Sequence, residues 1–301
     1  MKKIIFYIFV LLFCSLSRAQ DNKNLYLEDF LKGRREYEIY NCPSSQLLEC
    51  NAALGYAYFK GFNTGEWEVK QDVKKSEYFL SMSLAHPYSR YLQGRILLSK
   101  ILNGEENKEK IKTGEALISS ACYEQVVNAC LTMSSIYADK YKNISIDMPL
   151  NKKMEKSIRY IKKAISASDK YQHFLHAKNY KIEENIEKQY ALAYQKQLAL
   201  LLIKSGSREG VDILESISIN DVDFDGTTLA KVYEEGEIVP QDLIKAYMYY
   251  DLSGGDEEEK ARLDKKMTSD QIKEALERSW NWQEQHHSYR PGYRSPWDYN
   301  F

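Results

Sequence analysis

Glycine and proline are scarce in this chain, at 14 and 6 of 301 residues. That shortage excludes a fold of many short strands and tight turns, and it leaves few points at which a helix must stop. Beyond the N-terminus no stretch stays apolar for the roughly 20 residues a membrane-spanning helix requires. Charge of either sign is not in excess: 42 basic residues stand against 43 acidic ones, so there is no electrostatic case for binding nucleic acid. The chain also lacks a G-x-S-x-G elbow, a phosphate-cradling G-x-x-x-x-G-K, an H-E-x-x-H pair and any serine followed three residues later by lysine. Those absences remove the usual signals of esterase, nucleotide, metalloprotease and penicillin-binding chemistry. No cofactor and no small-molecule substrate are implied.

What the N-terminus does have is the order of a cleaved secretory signal. Lys2 and Lys3 precede an apolar run from Ile4 to Phe13, and Ser17-Arg18-Ala19 closes it. Residues 1–19 are read as that signal, with cleavage after Ala19. The bulky pair Leu12-Phe13 before Cys14 argues against a lipid-modified cysteine. Cleavage removes Lys2, Lys3, Arg18 and Cys14, leaving 39 basic residues against 43 acidic ones and an even set of four cysteines. The expected location is the periplasm or the exterior, without membrane insertion, and there thiols are expected to bridge. Four cysteines allow three pairings. Their spacing is duplicated, Cys42 to Cys50 and Cys122 to Cys130 with seven residues between thiols in each. It favours pairing within each copy, because each such bridge closes a short loop whereas cross-pairing would require distant segments to touch.

Hydrophobic residues recur at intervals of three and four almost throughout, which predicts helices. The first runs from Leu47 to Phe62, ended by Gly61, Asn63, Thr64 and Gly65; the second from Val73 to Ala85, with Asp72 as N-cap and Pro87 as breaker. The pattern returns as Tyr88 to Asn103 with Lys108 to Ala121, and as Val126 to Tyr141 with Leu150 to Ser166. Register blurs over 169–219, where a helix is expected from Asn185 to Ser205. It recovers at Thr227 to Gly236 and Val239 to Tyr250, and a last helix is expected over Ser269 to Gln285. A fixed period of helix pairs near forty residues is the signature of a solenoid. The expected fold is all-α, an α-solenoid of stacked antiparallel helical hairpins in a single domain over 20–285. Its clearest repeats are 50–85, 122–165 and 229–254, with a closing helix at 269–285 and a tail at 286–301.

Leu54-Gly55-x-x-Tyr58, Gly61, Gln71-Asp72-x-x-Lys75 and Val239-Pro240-Gln241-Asp242-x-x-Lys245-Ala246-Tyr247-Met248 together resemble the Sel-one-like repeat family, relatives of tetratricopeptide repeats. The segment Met267-Thr268 with Gln271-Ile272 and Ala275 is similar to the closing segment that follows the last such repeat. The resemblance implies packing roles for Leu54, Gly55, Tyr58, Gly61, Tyr137, Tyr233, Gly236, Ala246 and Tyr247. The glycines would let helices approach closely and the tyrosines would pack between them. The seven-residue cysteine interval resembles a disulfide-stapled, secreted subset of that family, in which Cys42–Cys50 and Cys122–Cys130 would each join the end of one repeat to the start of the next. Two departures stand out. Ser134 occupies the motif-glycine position of the third unit, and Tyr58 lies one residue further from Cys50 than Tyr137 does from Cys130.

Candidate chemistry is thin. Asp221-x-Asp223-x-Asp225-Gly226 opens like a calcium loop, yet the twelfth position, which should supply a bidentate glutamate, is Val232. These acids are better read as favouring the positive end of the helix beginning near Thr227. Lys112-Thr113-Gly114 matches one element of penicillin-binding enzymes but lacks the partner motif. His173 and His176 share a helical face without a third ligand, so no metal site is assigned. The tail from His286 to Phe301 carries Tyr289, Arg290, Tyr293, Arg294 and Trp297, residue types that dominate interfaces. It fits equally a partner contact and a cover for the last repeat.

Together these features lead to a non-enzymatic, exported module that grips one specific protein. Among exported proteins resembling this family are periplasmic immunity proteins that block lipase or phospholipase effectors of type VI secretion, and that is the function the resemblance implies. A host-interaction or envelope-assembly adaptor is the alternative within the binding class, and a cell-wall or β-lactam hydrolase the competing enzyme.

Overall fold

The computed structural model describes residues 39–63, 67–102, 108–141, 144, 146–177, 184–218, 226–254 and 257–286. The signal segment 1–19, the acids Asp221, Asp223 and Asp225, and the tail residues Tyr289, Arg290, Tyr293, Arg294 and Trp297 lie outside them. The described residues are mostly helical and divide into two compact units, Met1–Lys181 and Ile182–Phe301. The first holds α1 (Leu47–Lys60), α2 (Val73–Ser81), α3 (Pro87–Leu102), α4 (Lys108–Tyr123), α5 (Val127–Tyr137) and α6 (Leu150–Ala177). The second holds α7 (Glu184–Lys204), α8 (Arg208–Ser218), α9 (Thr227–Glu235), α10 (Leu243–Ser253), α11 (Glu257–Asp264) and α12 (Ser269–His286). None of these helices is long and apolar enough to cross a membrane.

Several ends differ from expectation for local reasons. Helix α1 stops at Lys60 because Gly61 takes φ +78°, and the chain then forms a short antiparallel ribbon, β1 (Phe62–Asn63) with β2 (Glu68–Val69), that buries Trp67 and Val69. Helix α2 ends at Ser81, short of Ala85. The hydroxyls of Ser81 and Ser83 donate to the carbonyls of Tyr78 and Phe79, 2.6 and 3.0 Å away, and draw the last turn out of register. Pro87 is not only a breaker but the first residue of α3, where its missing N–H costs nothing. Helix α5 ends at Tyr137 because Asp139 sits at φ +54°, while α6 runs on past Ser166 to Ala177 with Ala164, Ala167 and Ser168 buried along it. Helices α8 and α11 fall outside the ranges that the periodicity predicts.

Neighbouring helices pair in chain order, α1 with α2, α3 with α4, α5 with α6, α7 with α8 and α9 with α10. Each pair meets at two small residues. Ser76 Oγ donates to Gly55 O at 2.7 Å in the first pair, and Ser157 Oγ to Ser134 O at 2.8 Å in the third. A Cβ on Gly94 would come within 2.8 Å of Gly114 O, and one on Gly210 within 2.6 Å of Ala199 O. Ala230 and Ala246, both fully buried, hold the corresponding places in the fifth pair. Four residues beyond the second small residue comes a large one, Leu80, Ile118, Ile161, Leu214 or Tyr250, none more than 2% exposed. A small residue lets two helix backbones approach, and a large one a turn later fills the space their divergence opens.

The turns repeat as well. Asp72 N–H donates to Tyr58 O at 2.8 Å and Asp242 N–H to Tyr233 O at 2.9 Å. Gln71 and Gln241 send their side-chain amides to Phe59 O and Glu234 O, 2.9 and 2.8 Å away. Gly61 and Gly236, at φ +78° and +72°, make the left-handed exit from α1 and α9.

The cysteines pair as Cys42–Cys50 and Cys122–Cys130, with Cα atoms 6.4 and 4.7 Å apart. Cys122 lies in the last turn of α4 and Cys130 in the first part of α5, so that bridge ties the second helix of one pair to the first helix of the next. Both of its cysteines are buried. Closing a loop this short stabilises by about 2.5 kcal/mol in the chain-entropy model. Cys122→Ser with Cys130→Ser is expected to lower the unfolding free energy of the first unit by about that amount. Urea titration of the double variant beside the oxidised parent checks it, and equal midpoints would refute it.

Candidate functional site

A cluster of tyrosine, lysine and a second aromatic recurs in three of the helix pairs. Asp72 and Asp242 cap α2 and α10, their carboxylates accepting the N–H groups of Lys75 and Lys245 at 3.0 and 2.9 Å. The lysine so placed lies over a tyrosine of the preceding helix. Lys75 Nζ is 5.2 Å from the Tyr58 ring centre, Lys156 Nζ 4.7 Å from Tyr137 and Lys245 Nζ 4.4 Å from Tyr233. The same tyrosine stacks on the aromatic residue one turn beyond the lysine, Tyr58 on Phe79, Tyr137 on Tyr160 and Tyr233 on Tyr249, with ring centres 5.6, 5.8 and 5.9 Å apart.

In two pairs a glutamate from the preceding helix pair completes the cluster. Glu115 of α4 accepts the Tyr137 hydroxyl, while Lys156 Nζ donates to that hydroxyl at 2.9 Å. Glu215 of α8 accepts from Tyr233 at 2.7 Å, Tyr249 at 3.0 Å and Lys245 Nζ at 3.2 Å. Tyr58 instead shares a 2.6 Å hydrogen bond with Tyr40.

Electrostatics decide what these groups can do. Burial by itself would raise the Glu215 carboxyl, but the hydrogen bonds from Tyr233, Lys245 and Tyr249 outweigh it and hold the carboxyl below its ordinary value. Burial, reinforced by the carboxylate it donates to, pushes the Tyr137 hydroxyl well up, and Tyr249 behaves alike. Burial would lower Lys245, yet its bonds to Tyr233 and Glu215 leave it raised. Every shift favours the form already present: charged lysine, neutral phenol, ionised carboxylate. A general base or an activated nucleophile requires the opposite, a pKa brought toward neutrality. At Tyr137 and Tyr233 the cluster is a clamp that ties one helix pair to the pair before it.

Beside the second clamp opens a polar cleft of about 590 Å³, bordered by Arg208 and Asp212 of α8, the clamp residues Glu215, Tyr233 and Lys245, and Gln271 of α12. Val239, Pro240, Leu243 and Ile244 also line it, so charged and apolar groups share its wall. Among the described residues no group of three histidines, cysteines or carboxylates is placed to hold a metal ion. The side chains of His173 and His176 are not among those described.

Of the packing positions implied by the resemblance, Leu54, Ala246 and Tyr247 are buried, Gly55 faces Leu80 where an added Cβ would come within 2.5 Å, and Tyr58, Tyr137 and Tyr233 are the tyrosines of the three clusters. Ser134 stands at a crossing like that of Gly55, its carbonyl accepting from Ser157 as that of Gly55 does from Ser76. Glu115, Glu215 and Lys156 carry no signal in the motifs, which name Lys75 and Lys245 without giving them this role. The lysines were nevertheless visible as Lys75 with Phe79, Lys156 with Tyr160 and Lys245 with Tyr249, a lysine with an aromatic residue four positions on.

The end of the second unit carries a further set of charges. Glu234 of α9 accepts from Tyr250, Arg262 and Lys266, and Arg262 holds its carboxyl down to about 2 against the opposing effect of burial. A carboxyl depressed by folding contributes its stabilisation in full above its unfolded value, and that contribution is lost as pH falls toward the folded one. Arg262→Gln is therefore expected to lower the melting temperature by a constant amount at neutral pH. The deficit should narrow as the pH is taken from about 4.5 toward 2. A deficit unchanged across that interval in a calorimetric pH series would remove Glu234 as the cause.

No protein-family model matches the chain, and no curated protein matches it.

Proposed function

We propose that this chain is an exported α-solenoid of Sel-one-like hairpins that binds one protein partner, as a periplasmic immunity protein blocking a lipase or phospholipase effector. The observation that carries the reading is repetition. The same small-residue crossing occurs in five helix pairs and the same tyrosine–lysine–aromatic clamp in three. A reaction centre is assembled once, whereas an extended binding surface is made by repeating a unit, each copy adding side chains to a common face. The titrating groups of the clamp stay in their resting forms, and the cleft of the second unit is open and polar. The two disulfides agree with a compartment outside the reducing cytosol.

The test is to search the genes flanking this chain's own for a lipase-type effector and to co-express the two, the chain being either exported or retained by deletion of residues 1–19; flanking genes without such an effector count against the reading. Relief of toxicity only by the exported form, with the two proteins co-eluting in gel filtration, is the expected result. No relief, or relief without a complex, would overturn the reading. Purified protein should leave labelled peptidoglycan and a chromogenic β-lactam untouched, and turnover of either would favour the enzyme class instead.

A further inference from the structure

The two halves of the chain carry opposite charge. Residues 39–177 hold 19 Lys and Arg against 14 Asp and Glu, and residues 182–301 hold 14 against 24. Within the first half the excess is concentrated on α6, which has seven basic and two acidic residues between 150 and 170. Lys152, Lys156, Arg159 and Lys163 follow one another at intervals of four, three and four, and so fall on one face along roughly 16 Å of helix.

Helix stability does not account for this stripe. Lys152 and Lys153 stand in the first turn of α6, where the positive end of the macrodipole disfavours cations. The opposite face of α6 is used: Met154, Ser157, Ile161, Ala164 and Ala167 are buried. That leaves no apolar face with which α6 could enter a bilayer. At the stripe's far end Tyr123 is 64% exposed, with Lys163 Nζ 3.4 Å from its ring centre. A large exposed aromatic beside a row of cations is the composition that interfaces favour and isolated surfaces do not.

We infer that the Lys152–Lys156–Arg159–Lys163 stripe, with Tyr123 at its end, is where the protein partner docks an acidic segment. This rests on the protein-binding reading above. The stripe is one helix wide, and carboxylates flank it: Glu155, 69% exposed, paired with Arg159 at 2.8 Å one turn on, and Asp139, 47% exposed, paired with Lys153. A planar anionic surface would press against those carboxylates together with the stripe. A narrow acidic helix or extended segment can follow the row between those carboxylates, meeting the exposed Lys152 and Arg159, and the Tyr123 ring gives it an apolar stop.

The probe is a fluorescently labelled helical peptide with glutamate at every third or fourth position, titrated by anisotropy against the full mature protein. Lys152→Gln with Arg159→Gln removes two exposed charges of the stripe, and Lys231→Gln with Lys273→Gln removes two exposed charges of the second unit as a control. The stripe variant should bind about tenfold more weakly, the control should bind like the parent, and raising salt should erase the difference between them. Matching unfolding curves establish that both variants fold. Equal weakening of the two variants would overturn the assignment, since only overall charge would then matter. Stripe-dependent binding to phosphatidylglycerol vesicles without peptide binding would make the occupant a membrane and overturn it as well. A change in the protein's own sedimentation on losing the stripe charges would name a second copy instead. If the stripe variant still relieves toxicity and co-elutes with the effector, the docking surface falls while the protein-binding reading stands. If the parent fails with the effector yet shows stripe-dependent peptide binding, the effector assignment alone falls.

Discussion

Replacing Gly210 with alanine is expected to destabilise the second unit by about 3 kcal/mol, the upper part of the range for overpacking a close-packed site. The opposing gain from alanine's better helix propensity is only about 1 kcal/mol. The sign follows from what the new methyl group would meet. Its Cβ would lie 2.6 Å from Ala199 O, 2.7 Å from Ile203 N and 2.8 Å from Leu202 Cβ. Two of these are backbone atoms of α7, which no rotamer change can move aside, so α8 must withdraw along its whole length. Hydrogen exchange should place the loss in α7 and α8, and a neutral or stabilised variant in denaturant titration would refute the close crossing. Gly55→Ser should be milder. There the clash is with the Leu80 side chain, 2.5 Å away, and the third helix pair already accommodates Ser134 at the same crossing.

Asp251→Ala is the second large effect. Asp251 is 6% exposed and accepts from Lys260 Nζ at 3.0 Å and Ser279 Oγ at 2.7 Å, tying α10 to α11 and α12. Truncation would leave the Lys260 ammonium, its side chain 11% exposed, paired among the described residues with Glu257 at 2.9 Å, itself 82% exposed. Removing one partner of a buried pair costs about 3 kcal/mol, most of it the penalty of an uncompensated charge. Adding Lys260→Met to Asp251→Leu should recover most of that loss, since replacing both partners by apolar side chains is near neutral. A double variant as unstable as Asp251→Ala alone would show that the stabilisation comes from somewhere other than charge compensation.

How far the chain could be read in advance follows from the physics of each feature. Helix bodies were legible because their apolar residues recur at three and four, a pattern that survives without knowledge of neighbours. The cap at Asp72 was legible because capping is local. The end of α2 was not, since it depends on Ser81 and Ser83 hydroxyls competing for carbonyls within the turn. Nor was the length of α6, where Ala164, Ala167 and Ser168 gain their value only once buried. The clamps were half legible. Tyr58, Tyr137 and Tyr233 stood out, but Glu115 and Glu215 reach their tyrosines from a different helix pair, across intervals of 22 and 18 residues that no local pattern reports. Of the small-residue crossings, Gly55, Ser134 and Ala246 were legible from the motif, while Gly94, Gly114, Ala199 and Gly210 were not, because glycine, serine and alanine substitute for one another there and only backbone approach makes them equivalent.

The two bridges also bear on how the chain reaches this arrangement. Each joins residues separated by eight positions: Cys122–Cys130 spans the turn between α4 and α5, and Cys42–Cys50 reaches from just before α1 into its first turn. Short loops close in about 10–100 ns, far faster than any thiol is oxidised, and the entropy lost on closure grows with the length enclosed. Cys42 therefore meets Cys50 far more often than it meets Cys122 or Cys130, which lie about eighty residues on in the chain. The correct pairs form first wherever the chain meets an oxidant, before any helix pair need be packed. Each bond can close once its own short segment is in hand, so assembly of the first unit proceeds from segments already correctly joined, with no shuffling step to await.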